Sequence, residues 1–572
     1  VHVIATAGHV DHGKSTLVRV LTGTDPDRLE EEKARGLTID LGFAFTELPS
    51  RRRVSFIDVP GHVRFLKNML AGVGGVDACM FVVAAPEGWK PQSEEHLRIL
   101  ELLGIRHGLV ALTQVGLVDD ELRELAELDI EERTEGSFLE GAPIIPVDSI
   151  DGTGLDDLRA ALDELTETAP TAVDHGRPRL WIDRAFAATG AGSVITGTLT
   201  GGRVRAEDEL TLVPGEGTAR IRGIQTQGEQ RTKIGPGHRV ALNLSGVGLD
   251  DLGRGVALVK GDQWHRTDRV DAELTVLPNL DHEISRRGAY AIYLGSGEWP
   301  VRLRVLGPDQ LAPGTTGNVR MFFGEHLPLL PGDRFVLREF GRDETVGGGQ
   351  ILDVDPQLKA AESIPDRSVD RVIAERGWVD VDDLERLTGE RRDPVVGRWV
   401  ALLDTVDAAR AEVRDLVETA DGLGLDLAQL DERQRLLLDT LDDVHVAEGR
   451  ARPIDQADVL ADHPLLSELE AEPFAPPEPV DVSRDELRGL VQRGQVVQVD
   501  GIYFAAGAID LAARRVAELL ADKPEGATVA EIRDALGTTR KYALPLLAQL
   551  DSTGVTRRRG DYRVGGPRLP EI

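Results

Sequence analysis

The segment GHVDHGKS, residues 8–15, constrains the fold of this chain more than any other. It fits G-x-x-x-x-G-K-S. An apolar run, VHVIATAG, leads into it and a helical pattern, STLVRVLTG, leads out. A strand that turns through such a loop into a helix directs backbone N–H groups at a polyphosphate. Gly8 and Gly13 let the backbone wrap closely, and His9, Val10, Asp11 and His12 supply the amides between them. Lys14 places a point charge on the terminal phosphates. Ser15 is the expected Mg²⁺ ligand, and Thr16 follows it in the first helical turn.

Around this loop, residues 1–170 alternate short apolar runs (RVSFIDVPG, ACMFVVAAP, HGLVALT, PIIPV) with helical patterns such as EEHLRILELLG. That alternation predicts an α/β domain on a parallel sheet. From about 176 to 355 the runs are short, alternating and broken by Gly and Pro, which predicts one or two antiparallel β-barrels. After Pro356 helical patterns dominate, some followed by strand-like runs such as QVVQVDGIYFA. PFAPPEPV (473–480) reads as a linker or surface loop. At 572 residues the chain is too long for one core. The expected boundaries are 1–172 for the nucleotide domain, 173–265 and 266–357 for the barrels, and 358–430, 431–508 and 509–572 for three winged-helix units.

A magnesium–triphosphate site needs a second hydroxyl and a carboxylate beside the metal. RGLTID (35–40) offers Thr38, and DVPGH (58–62) offers Asp58. Gly61 can bring a backbone N–H to the γ-phosphate, and His62 can orient the attacking water. GHVDHGKSTL, RGLTID and DVPGH, in that order, resemble the translational GTPases of the elongation factor Tu class. The resemblance implies GTP and GDP as ligands, Mg²⁺ as cofactor, and switch loops carrying Thr38 and the catalytic His62.

Such GTPases carry N/T-K-x-D after the fourth strand of the pattern. There a carboxylate takes two parallel hydrogen bonds from N1–H and N2–H₂ of guanine, which adenine cannot offer. Here ALTQVGLVDD has Thr113 at the first position, Gln114 in place of Lys and Gly116 in place of Asp. The next base-facing loop, usually S-A or S-S, reads Asp148, Ser149, Ile150. Either guanine selectivity is weakened or another acid compensates, with Asp148 the first candidate and Asp119 the second. On the first reading, Gly116→Asp tightens GTP relative to ATP.

Beyond the nucleotide domain, RLWIDRAFAATGAGSVITGTL, PGHRVALNLSGV, LPLLPGDRFVLRE, TTRKYALPLL and TGVTRRRGD are similar to the selenocysteine-specific elongation factors (SelB). The resemblance implies that Asp183, Arg184 and Arg239 lie near the aminoacyl end of a selenocysteyl-tRNA. Permanently charged arginines suit an ionised selenol over a serine hydroxyl. The resemblance also implies the ribosome as partner, and a message hairpin, the SECIS element, that marks a UGA codon.

Net charge is −32, yet residues 511–572 hold 11 Lys and Arg against 8 Asp and Glu. Their pattern of three helices and a hairpin reads as a winged helix. Thr538 is the expected N-cap of its third helix. Arg540 and Lys541 fall in that helix's first turn, and Arg557, Arg558 and Arg559 lie on the wing, placed to grip an RNA backbone. Competing readings are a non-hydrolysing RNA-binding adapter and a general elongation factor. The single cysteine, Cys79, sits in an apolar run and reads as a core thiol. No signal peptide and no membrane span are expected, so a monomeric cytoplasmic protein is the default.

Overall fold

The computed structural model describes residues 2–26, 38, 40–60, 69, 76–188 and 192–571. The chain divides into two compact units, 1–402 and 403–572.

In the first unit, the strands β1 (His2–Ala7), β2 (Gly42–Glu47), β3 (Arg53–Asp58), β4 (Ala78–Ala84), β5 (Gly108–Thr113) and β6 (Ile144–Pro146) form one sheet. Its order is β2-β3-β1-β4-β5-β6. β1, β3, β4, β5 and β6 pair in parallel, and β4 is buried at every position because helices cover both faces. Cys79 is buried within β4. GFAFTE, absent from the expected strands, forms β2 and joins β3 antiparallel. An edge strand joined by a short turn needs no crossover helix, so it lacks the strand–helix alternation used to find the others. Helices α1 (Lys14–Thr22), α2 (Pro91–Leu102), α3 (Asp120–Thr134) and α4 (Leu155–Thr168) complete the described part of the domain.

Two β-barrels follow in the same unit. In the first, 209–213, 257–259, 179–181, 192–200, 238–245 and 218–226 pair in that order, and 218–226 pairs back to 209–213. The second is a closed barrel of strands 267–276, 316–327, 297–305, 290–294, 334–339 and 344–353. Thr218–Thr226 and Gly297–Val305 alternate exposed and buried side chains, the period expected of a strand with one face on a core. Residues 358–402 belong to this unit as well. Arg371 pairs with Asp353 at 2.9 Å, and Ser363 donates to Asp271 at 2.7 Å, tying them to the second barrel.

The second unit carries three β-hairpins, at 444–453, 496–505 and 556–565, each preceded by helices. The segment 431–508, expected to hold one hairpin, holds two. The turn of the extra one is Glu448 and Gly449, both at positive φ. Glutamate is rare at such a position, so the signal for a two-residue hairpin was weak. The last helix, Arg540–Ser552, runs through Pro545 without interruption.

Candidate functional site

The loop between β1 and α1 has the backbone its glycines allow. Gly8 lies at φ 125°, and a Cβ there would sit 2.1 Å from the Val82 carbonyl oxygen. Gly13, at φ 84°, is the N-cap of α1. Lys14 is buried, and its Nζ donates to the carbonyls of Gly8 (3.0 Å) and His9 (2.6 Å), so the ammonium is pinned across the loop. Thr16 is exposed at the start of α1, and Asp11 takes a left-handed φ of 65°.

The outer side of the loop is held by α2. Gly8 N–H donates to His96 Nδ1 and Val10 N–H to Gln92 Oε1, each at 3.1 Å. Burial, reinforced by the Lys14 charge, pushes the His96 imidazole down to about 3. The ring is therefore neutral, as an acceptor must be. Burial likewise pushes His12 down to about 4, with its Nδ1 3.3 Å from the Val82 carbonyl.

On the metal side, Ser15 Oγ lies 2.7 Å from Thr38 Oγ1. Asp58 is fully buried at the end of β3, where Thr6 Oγ1 donates to it at 2.8 Å. Val59 N–H donates to the same threonine at 3.1 Å, fixing the carboxylate's height on the strand. The two adjacent hydroxyls of Ser15 and Thr38 fit Mg²⁺, which binds few protein oxygens and fills its shell with phosphate and water. Gly61 and His62 lie outside the described residues.

The base-side loops are tied to one another and to the phosphate loop. Thr113 Oγ1 donates to the His12 carbonyl at 2.7 Å, and Gln114 Nε2 to the Asp11 carbonyl at 3.1 Å. Gly116 N–H donates to Asp148 Oδ2 at 3.0 Å, and Ile150 N–H to Asp148 Oδ1 at 2.8 Å. Asp148 is buried, Ser149 half-buried, and Ile150 is 90% exposed.

A cavity of about 290 Å³ opens between β2–β3 and the first barrel. Arg184 and Arg239 line it with Phe43 and Gln227. The Arg239 guanidinium lies 3.2 Å from the Phe43 ring centre and that of Arg184 lies 5.5 Å from it. Asp183 orients Arg239 through contacts of 2.9 and 3.1 Å, and takes a further bond from Thr196. All three residues expected at an aminoacyl end therefore gather here.

In the second unit, Arg540 and Lys541 are exposed in the first turn of their helix. Thr539, not Thr538, is the N-cap. The Thr538 hydroxyl instead donates to the Phe474 carbonyl, which takes it out of the capping position. Arg557, Arg558 and Arg559 are exposed on one strand of the wing. Tyr562, 48% exposed, sits directly across from Arg559. Arg563 turns inward to Asp551 at 3.2 Å.

Two curated relatives match this architecture almost end to end. The selenocysteine-specific elongation factor of Desulfomicrobium baculatum is 31% identical over 98% of this chain and 99% of its own. That of Escherichia coli is 32% identical over 98% of both. The chain belongs to the selenocysteine-specific elongation factor family. Within this SelB-family chain, residues 1–168 match the family model for the elongation factor Tu GTP binding domain, and 518–564 that for the elongation factor SelB winged helix. It is therefore a GTP-binding translation factor with a SelB winged helix. The solved structure of a bacterial selenocysteine-specific elongation factor, EF-Sec, covers 99% of both chains at TM-score 0.73 and 26% identity. Elongation factor Tu 2 of Streptomyces avermitilis is 31% identical but covers only 62% of the SelB-family chain.

Sequence reasoning missed Gln92, His96, Arg254 and Tyr562. Gln92 and His96 lie four apart on α2, His96 inside the stretch read as helix and Gln92 just before it. That spacing puts both on one face, which is the signal that was there to find. Arg254 hydrogen-bonds the carboxylate of Asp40 and, at 3.0 Å, the carbonyl of Asp183. Nothing in its local sequence marks it.

Proposed function

We propose that this SelB-family chain, as a Mg²⁺–GTP complex, carries selenocysteyl-tRNA to the ribosome and recognises a hairpin in the message at a UGA codon through its last winged helix. Ser15 and Thr38 would hold the cation, with Asp58 as the carboxylate candidate beside it. Lys14 and the loop amides through residue 16 hold the phosphates, except the amides of Gly8 and Val10, which α2 engages instead, and His62 orients the attacking water. The magnesium supplies charge neutralisation on the β- and γ-phosphates. Asp183, Arg184 and Arg239 form the aminoacyl pocket. Arg540, Lys541 and Arg557–Arg559 contact the RNA. The factor works as a monomer in the cytoplasm.

The observation that carries this reading is the pairing of Arg184 and Arg239 over one aromatic ring, Phe43, in a cavity beside the nucleotide domain. A selenol is ionised at neutral pH and a serine hydroxyl is not, so fixed guanidinium groups in a partly desolvated cavity separate the two. The test compares protection of selenocysteyl-tRNA and seryl-tRNA from deacylation with GTP or GDP present. Protection of the selenocysteyl form alone, in GTP alone, is expected; equal protection of both defeats the reading. Ribosome-stimulated GTP hydrolysis, assayed with the same protein, separates a working GTPase from a non-hydrolysing adapter.

A further inference from the structure

Two of the three departures from the expected base-side motif, Gly116 and Asp148, are in direct contact. We infer that the guanine-recognising carboxylate has moved from position 116, where the glycine leaves it out, to Asp148 on the neighbouring loop. This rests on the reading of these loops as a nucleotide site.

Gly116 and Asp148 touch. Asp148 Oδ2 accepts the Gly116 N–H at 3.0 Å. A Cβ built on Gly116 would lie 2.8 Å from the same oxygen, closer than real Cβ atoms come to anything. The Asp148 carboxylate therefore occupies the space where a side chain at 116 would begin. A side chain at 116 would require the Asp148 carboxylate to shift from where it lies. Gly116→Asp alone drives two carboxylates together, so the tightening of GTP expected from the sequence is not expected from the structure.

The loop fixes the carboxylate at both oxygens. Gly116 N–H holds Oδ2 at 3.0 Å, and Ile150 N–H holds Oδ1 at 2.8 Å. An ionised carboxylate has about four acceptor sites, and these two bonds use two of them. The remainder matches two parallel donors, the N1–H and N2–H₂ of guanine. The other acid weighed for this role is engaged elsewhere: Asp119 caps α3, accepting the Leu122 N–H at 3.0 Å. Gln114 meanwhile keeps the base loop against the phosphate loop through its bond to the Asp11 carbonyl. The frame around the carboxylate is thus intact while the acid itself has changed strands.

The test is nucleotide binding, read by displacement of a fluorescent GDP from the full-length protein by GTP, ITP, XTP and ATP. Wild type is expected to favour GTP over ITP, which lacks the 2-amino group, and over ATP. Asp148→Asn puts an amide N–H where xanthine carries its 2-oxo group. It should weaken GTP by on the order of 100-fold or more while strengthening XTP, a gain that loss of a merely structural turn cannot give. The exchanged pair Gly116→Asp with Asp148→Ser should bind GTP within about tenfold of wild type, whereas Gly116→Asp alone should not. GTP affinity unchanged in Asp148→Asn overturns the inference. So does a loss of GTP and XTP together that the exchanged pair fails to repair. If wild type binds no guanine nucleotide at all, the nucleotide-site reading itself falls.

Discussion

Arg184 donates to the Leu41 carbonyl at 3.0 Å, so the barrel pocket holds the backbone of the segment that begins at Thr38. Two residues after Thr38, the Asp40 carboxylate lies 3.5 Å from Arg184 and also takes a bond from Arg254. Thr38 itself meets Ser15 beside the phosphate loop. One short stretch therefore touches the proposed metal side through Thr38 and the proposed aminoacyl side through the half-buried Asp40. Asp40→Asn should leave GDP affinity within about twofold while cutting the GTP-over-GDP advantage in tRNA binding by roughly tenfold, a typical coupling between two sites. Titrating the same labelled tRNA in each nucleotide measures it. An undiminished advantage means that Asp40 does not link the sites.

The pocket arginines make a separate prediction. Replacing Arg184 and Arg239 by Ala removes two guanidinium groups that are packed on Phe43 and only partly exposed. Each hydrogen bond to a charged group contributes about 1.5–3 kcal/mol, or roughly 10- to 150-fold. Preference for selenocysteyl- over seryl-tRNA should fall by at least the lower figure per arginine. GTP affinity, held by other residues, should stay within about twofold. Arg→Lys keeps the charge but loses the flat stacking surface, and should recover only part of the preference.

His96 predicts a pH dependence of stability. Its folded pKa, about 3, is far below the ordinary 6.5 because burial and Lys14 disfavour the charged ring. The unfolded chain therefore binds a proton between these values that the folded chain refuses. Stability is full above pH 6.5 and declines as pH falls toward 3, by about 1.4 kcal/mol per unit for this group. At pH 5 the loss is about 2 kcal/mol. His12, pushed to about 4, adds in the same direction. His96→Gln, which keeps an acceptor for the Gly8 N–H, should flatten the decline between pH 7 and 5 in denaturant melts. An unchanged slope would remove His96 as its source.

These relationships show why some of the site was legible in the sequence and some was not. Gly8, Gly13, Lys14, Ser15, Thr38 and Asp58 stand in short contiguous motifs, because wrapping a phosphate demands fixed spacing along one loop. Gln92 and His96 act from a helix more than 80 residues away, through two backbone amides. Any side chain that accepts a hydrogen bond and fits would serve, so no motif is required. The gathering of Arg184 and Arg239 over Phe43 depends on how a barrel meets a sheet edge, and β2 was itself unforeseen. Compensation of Gly116 by Asp148 was one of two alternatives open in the sequence, and the 3.0 Å contact between them is what gives it a geometric basis. The extra hairpin at 444–453 stayed hidden because its turn uses Glu448 in a conformation that glutamate seldom adopts.

The wing offers a prediction that separates charge from stacking. Arg557, Arg558 and Arg559 are exposed on one strand, and Tyr562 stands opposite Arg559 on the next. Each phosphate contact releases counterions and adds about 0.7–0.9 to the slope of log affinity against log salt. Changing the three arginines to Gln should weaken hairpin binding and reduce that slope by about two to three units. Tyr562→Ala removes a flat ring but no charge. If a base of the hairpin stacks there, affinity should fall by about 1–3 kcal/mol with the salt slope unaltered. A Tyr562 variant that changes the slope, or an arginine variant that does not, would mean that the wing holds the RNA in some other way.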